Sequence, residues 1–202
     1  MNDRDVHRKE VHSPMSPSSA AAYVEVDDAT LAARAAHDFE AFEELYRRHL
    51  DPVYRFVRSQ SPDVATAEDL TAQVFLNALS AARTYRGDGS YRSWLFRIAH
   101  NVISTWRASH RRAVAVAEPP EEMDPGPSPA AQAISRKQLD VVMRAVADLP
   151  PAQREVVALR SLEDLSTDEI ARITRRSGGA VRILLHRARS RLKSVLAREG
   201  LL

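Results

Sequence analysis

From Arg172 to Arg198 the chain carries nine arginines or lysines and not one aspartate or glutamate. Such a stretch does no acid–base or metal chemistry. It holds polyanions, because guanidinium and ammonium groups pair with phosphate oxygens and release the counterions condensed around a nucleic acid. Arg182, His186, Arg189 and Lys193 fall on one helical face, while Val181, Leu185, Ala188, Leu192 and Val195 recur at gaps of four and three on another. A second acid-free stretch runs from Tyr91 through Arg112, with Arg97, His100, Asn101, Ser104 and Arg107 opposite an apolar face of Tyr91, Trp94, Leu95, Ile98, Val102 and Trp106. Both tryptophans lie on the apolar stripe and read as core rather than as base-stacking platforms. His100 reads as a polar-face residue near phosphate. The carboxylates that could serve as general acids, Glu68, Asp69, Glu163 and Asp164, have no glycine-rich phosphate loop, nucleophile elbow or metal-ligand set beside them. His7 and His12, five residues apart in a polar tail, fit neither face of a helix. No enzyme, cofactor or metal is expected.

The basic stretch needs elements to position it. Ser166 with Glu169 forms a capping box that opens a helix ending near Thr174. Ser177 can cap a second helix, and Gly178 and Gly179 are expected to let the turn pack close against its neighbour. A short helix, a tight turn and a basic second helix describe a helix-turn-helix whose second helix enters the DNA major groove. Ile183 projects opposite the buried stripe, where it can meet thymine methyl groups. A solvated basic face or a membrane-surface helix would share the composition, but neither accounts for the capped turn.

With 202 residues, 44% apolar and 6% aromatic, the chain can bury a core in one or two domains, and its periodicity calls for an all-α fold without strands. The absence of cysteine excludes a disulfide framework and thiolate zinc sites. No apolar run reaches 18 residues and no secretory segment opens the chain, so a soluble, cytoplasmic protein is expected. A net charge of +2 means that the basic segments are balanced by acidic ones elsewhere.

In chain order, residues 1–26 are polar and aperiodic and read as a disordered arm. Asp27 and Asp28 can cap a helix carrying Leu31 and Ala35; after a break near His37 a second helix runs through Phe39, Phe42, Leu45, Tyr46 and His49, and Pro52 restarts it with Val53, Phe56 and Val57 until Ser61, Pro62 and Asp63 end it. A third helix, from about Thr66 to Ala82, has an inner face of Ala67, Leu70, Val74, Ala78 and Ala81. Asp69, Gln73, Leu76 and Ser80 line its opposite side, a ridge suited to docking a partner. A turn over Tyr85–Ser90, with Gly87, Asp88 and Gly89, leads to the long acid-free helix. Residues 113–130 hold five prolines and four acids against no base, the composition of an extended linker. A second domain, 131–202, opens with a helix over 131–148, turns at Pro150 and Pro151, and passes through a helix with Val156, Val157 and Leu159 into the helix-turn-helix.

AFEELYRRHLDPVYRFV, AEDLTAQVFLNAL, YRGDGSYRSWLFRIAHN and the following HRR resemble region 2 of bacterial RNA polymerase sigma factors of the extracytoplasmic-function group. LPPAQREVVALRSLEDLSTDEIA and GGAVRILLHRARSRL resemble region 4 of the same family. The resemblance implies a protein that binds the RNA polymerase core through its largest and second-largest subunits, recognises promoter DNA and opens it. An anti-sigma factor is a further partner the family implies, and no membrane is. It implies that residues 27–112 dock on polymerase through the ridge Asp69, Gln73, Leu76 and Ser80, and melt and hold the minus-ten element with Arg86, Asp88, Arg97, His100, Asn101 and Arg107. Ser177, Gly179, Ala180, Arg182, Ile183, His186 and Arg187 would read the minus-thirty-five element. The acidic linker would thread the polymerase cleft; its eighteen residues, extended, reach at most roughly 60 Å.

The pattern departs from the family at Ala72 and Gln73, where a Gln-Glu pair is usual, and at Ala180, Ile183 and Leu184, where polar or basic residues are common. The promoter sequence is therefore not inherited from relatives. A free-standing repressor or activator would need dimer symmetry to read two half-sites, and no spare apolar helix offers it.

Overall fold

The computed structural model describes residues 23, 25–87, 89–114, 141–161 and 164–201. Among them all regular structure is helical. Four helices form the first unit: α1 (Asp28–Arg34), α2 (Phe39–Gln60), α3 (Val64–Ala81) and α4 (Tyr91–Val114), with one 3-10 turn at Ala82–Thr84. Residues 141–147 (α5) lead into α6 (Pro151–Ser161), α7 (Thr167–Thr174) and α8 (Gly178–Arg198). The expected linker 113–130 beyond residue 114, the start of the expected helix 131–148, Asp88 and Glu163 lie outside the described residues, as do residues 1–22 with His7 and His12.

The helix starts are written locally. Asp27, Asp38 and Asp63 each occupy an N-cap and accept backbone N–H bonds from Thr30, from Glu40 and Ala41, and from Thr66. Pro52 behaves differently from the restart expected of it: α2 runs unbroken across it for 22 residues. Proline removes one backbone bond, but Val53, Phe56 and Val57 beyond it are fully buried, and that tertiary packing offsets the local loss.

Phe56 and Phe96 meet edge-on with centroids 5.4 Å apart, joining α2 to α4, while α3 packs against both helices. Phe75 and Thr71 are buried on α3 beside the expected stripe, which is wider than a single line of small residues. In the second unit α6, α7 and α8 pack on one another. The two units also touch, α4 against α7 and α2 against α6, so one buried cluster continues from Leu31 through Phe96 to Val156, Ile170 and Val181.

The arm expected to be unstructured up to residue 26 is anchored at its end. Tyr23 donates its hydroxyl to Asp38 Oδ2 at 2.7 Å, and Tyr23 and Val26 pack on the core. The anchor is Arg48, whose guanidinium donates to the carbonyls of Tyr23 and Val26 and to Asp28 Oδ1 and Glu44 Oε1, all at 2.7–2.9 Å. Periodicity predicts none of this, because Arg48 lies on the polar side of an amphipathic helix.

Candidate functional site

Three surfaces carry the residues singled out by sequence. On α3 Asp69, Gln73, Leu76 and Ser80 are all exposed on one side, Leu76 at 59%. Gln73 Nε2 donates to Asn77 Oδ1 at 2.8 Å, and Ser80 Oγ to the Leu76 carbonyl at 2.9 Å, which leaves Leu76 and Asp69 as the outward groups of the ridge. Beside it lies a groove between α2 and α3 lined by Tyr46, Leu50, Tyr54, Glu68, Ala72 and Phe75. Tyr46 reads from sequence as part of the buried stripe, but it is half-exposed and packs edge-on to Phe75 at 4.7 Å. The spacing Tyr46, Leu50, Tyr54 is itself a second apolar line on α2 and is the signal that would have found the groove.

The second surface is α4 with the turn before it. Gly87 and Gly89 have φ of 72° and 98°, values that favour glycine, and Tyr85 closes the turn with a hydroxyl bond to the Gly89 carbonyl at 3.3 Å. Tyr85, Tyr91 and Trp94 form an aromatic cluster under the turn with centroids 5.3–5.7 Å apart, and Trp106 stacks on His110 at 5.2 Å. Arg86, Arg97 and Asn101 are exposed. The other two described candidates are engaged. Arg107 donates to Gln60 Oε1 at 2.6 Å and so ties α4 to the end of α2. His100 is 14% exposed, and its Nδ1 lies 2.7 Å from Oε1 of Glu155 on α6. The polar face that sequence places as one row is therefore divided, with Arg97 and Asn101 outward and His100 and Arg107 turned into contacts between helices.

The third surface is the helix-turn-helix. Ser166 and Glu169 make the reciprocal capping box, and α7 ends at Arg175, whose φ of 53° is left-handed. Ser177 caps α8 by accepting the Ala180 N–H at 3.1 Å. The glycines do not play the part expected of them. Gly178 and Gly179 are the first two residues of α8 with ordinary helical backbone, and a Cβ on either would meet its nearest atom only at 3.7 or 3.9 Å. The change of chain direction falls on Arg175 instead. Along α8, Val181 and Ala188 are buried, and Leu185, Leu192 and Val195 are partly so. Arg182, Ile183, His186 and Arg187 face outward, with Ile183 at 54%. Ser177 is exposed and Gly179 and Ala180 are half-buried at the base of the helix.

No group of three or more potential metal ligands exists among the described residues, and no described helix is long and apolar enough to cross a membrane. Fold and charge together define an all-helical protein of two units that ends in a basic helix-turn-helix. Residues 45–113 match the family description Sigma-70 region 2, and residues 139–192 match Sigma-70, region 4. The chain is 33% identical over 178 residues to the ECF RNA polymerase sigma factor BldN of Streptomyces coelicolor, covering 87% of this chain and 66% of that protein, just under two thirds of its length. It is 31% identical over 180 residues to the ECF RNA polymerase sigma factor SigD of Mycobacterium tuberculosis, covering 86% of this chain and 85% of that one. Among solved structures it resembles CnrH in complex with the cytosolic domain of CnrY, with TM-score 0.64, 26% identity, and coverage of 85% of this chain and 97% of the other. The chain belongs to the extracytoplasmic-function group of the sigma-70 family, a family of transcription initiation factors rather than enzymes.

Proposed function

We propose that this chain binds the RNA polymerase core, directs it to specific promoters and opens promoter DNA in the cytoplasm. The observation that carries the reading is the conjunction, on one chain, of an exposed ridge at Asp69 and Leu76, an α4 free of acidic residues, and a basic recognition helix. Residues 27–112 would dock on polymerase and hold the minus-ten element, and residues 131–202 would read the minus-thirty-five element. Supplying the chain to core polymerase should produce transcription from its own promoters and none from unrelated templates. Core polymerase that initiates equally without the chain would refute the reading. The solved neighbour CnrH is in complex with the cytosolic domain of CnrY, and a protein partner of this chain, an anti-sigma factor, is part of the same reading.

Two predictions belong to the DNA surfaces. Asn101→Ala should impair promoter opening more than polymerase binding, because an exposed amide on α4 can hydrogen-bond a base only after that base leaves the stack. Permanganate reactivity of the melted strand should fall while co-purification with polymerase holds. Arg182→Ala and Arg187→Ala should each weaken minus-thirty-five binding, a base-contacting arginine costing ~1–3 kcal/mol of discrimination. A titration on matched and scrambled elements across salt concentrations separates base reading, which relaxes preference, from phosphate holding, which lowers affinity uniformly.

A further inference from the structure

One buried polar pair in the first unit belongs to none of the three surfaces. His49 of α2, 7% exposed, stands between Asp28 of α1 and Tyr91, the first residue of α4. Its Nε2 lies 2.7 Å from Asp28 Oδ2, and its ring centroid is 5.3 Å from that of Tyr91, with the planes at 56°. The other oxygen of Asp28 accepts from Arg48 at 2.9 Å, within the anchor of the segment before α1. Packing alone does not call for this pair. Burying an imidazole against a carboxylate costs desolvation, and apolar side chains of similar volume fill such a space as well or better. What the pair adds is direction: a ring bonded through Nε2 is held in one orientation, whereas a leucine there could settle in any of several rotamers.

Direction matters because of what Tyr91 carries. At 4% exposed it touches His49 on one side, and it also meets Tyr85 edge-on at 5.7 Å and Trp94 at 5.4 Å. Tyr85 in turn bonds the Gly89 carbonyl and so supports the turn that bears the exposed Arg86. Nothing lies within 4 Å of the place a Cβ would take on Gly87 or Gly89, so no neighbour packs over these two residues. A turn this open takes its shape from below, through Tyr85. If it were left loose, its ordering would have to be met when DNA binds.

Building on the sigma-factor reading, we propose that His49, oriented by Asp28, is a positioning residue for promoter opening: it sets the Tyr91 ring, Tyr91 sets Tyr85, and the turn bearing Arg86 is held in one shape before DNA arrives. His49 itself is too buried to meet DNA. It acts through two aromatic rings on a turn 36 or more residues further along the chain. Shaping the turn in advance removes its ordering from the opening step.

The full chain has six glycines, so isotopic labelling of glycine nitrogen gives a sparse amide spectrum in which Gly87 and Gly89 report on the turn and Gly178 and Gly179 serve as controls in α8. His49→Leu and Asp28→Ala should shift or broaden the Gly87 and Gly89 signals and leave the two controls in place. In the holoenzyme both should slow promoter opening, followed by permanganate, at least tenfold, about 1.4 kcal/mol, with affinity for core polymerase and for a minus-thirty-five duplex unchanged. Asp28→Asn is the rescue: its Oδ1 still accepts from Arg48 while its amide donates to Nε2 of the other imidazole tautomer, so signals and opening should match the unsubstituted chain. Arg48→Ala separates positioning from stability, since it weakens the fold but spares the contact between Asp28 and His49, and opening should hold. Should His49→Leu lose helix, Asp28→Ala and Asp28→Asn carry the test, at a side chain 32% exposed. Turn signals unmoved in His49→Leu and Asp28→Ala, opening equal to that of the unsubstituted holoenzyme, or opening that falls in step with stability in all four variants overturns the proposal. An unsubstituted holoenzyme that opens no promoter refutes the sigma-factor reading itself, and the proposal with it.

Discussion

Leu76→Arg should abolish co-purification of the chain with core RNA polymerase while leaving its helical content and melting midpoint unchanged. Leu76 is 59% exposed and Leu79, one turn on, is 40% exposed, so neither contributes much to the fold, and substitutions at such sites usually move stability by less than about 0.5 kcal/mol. An exposed leucine alone means little. Here it stands between the Asp69 carboxylate and a groove lined by Tyr46, Leu50, Tyr54 and Phe75, a combination of apolar anchor, pocket and polar rim typical of a docking centre. Introducing a cation at that centre should cost ~2–4 kcal/mol of binding, thirtyfold to nearly a thousandfold. Asp69→Arg should act in the same direction. Retention of either variant on immobilised core at the level of the unsubstituted chain would remove α3 as the docking element.

The largest stability effect is expected at Arg48→Ala, about 3 kcal/mol by chemical denaturation. The substitution takes the guanidinium donors from the Tyr23 and Val26 carbonyls, leaving Tyr23 only the Val26 N–H at 3.1 Å, and takes one of two arginines from Glu44, which is only 6% exposed. Asp28 keeps its 2.7 Å contact with His49, so the segment before α1 should loosen without α1 itself detaching. Acid titration supplies an independent check. The hydrogen bond from His49 holds the Asp28 carboxyl below its ordinary 3.8, against the opposing effect of burial and with further help from Arg48. Burial alone would raise Glu44, yet the bonds from Arg47 and Arg48 outweigh it and leave the group below its ordinary 4.5. A carboxylate depressed in the folded state contributes stability that is complete above the unfolded value and is lost as pH falls through the folded one. The unsubstituted chain should therefore lose stability steeply below about pH 4, and Arg48→Ala should show a shallower acid limb from a lower plateau.

Local instructions were legible in the sequence and distant ones were not. The capping box at Ser166 and Glu169, the end of α7 at Thr174 and the two faces of α8 follow from chemistry within a turn or two, and they stand where the pattern puts them. Leu76 and Ile183 were recognisable as outward residues because apolar groups out of phase with a stripe must face away from it. His100 shows the limit. Its period assigns it to a polar face, but its partner lies 55 residues further along the chain, and nothing in local spacing announces Glu155. Pro52 errs the other way: a strong local breaker is overruled by buried residues on both sides. Tyr46 belongs to neither case, since α2 carries two apolar lines and Tyr46, which starts the groove-facing one, was read with the buried one.

The left-handed backbone at Arg175 carries a consequence for how such a turn can vary. A non-glycine residue there costs about 1 kcal/mol, which glycine would relieve. Arg175 is exposed on the acid-free side of the helix-turn-helix, so the same replacement deletes a cation from a surface proposed to hold phosphate. Arg175→Gly should raise the melting midpoint and lower DNA affinity at low salt, the two changes moving in opposite directions at a single position. Thermal robustness and grip on the template are then competing traits, and variants selected for endurance to heat would be expected to drift toward glycine at the hinge and to recover the lost charge elsewhere on α8.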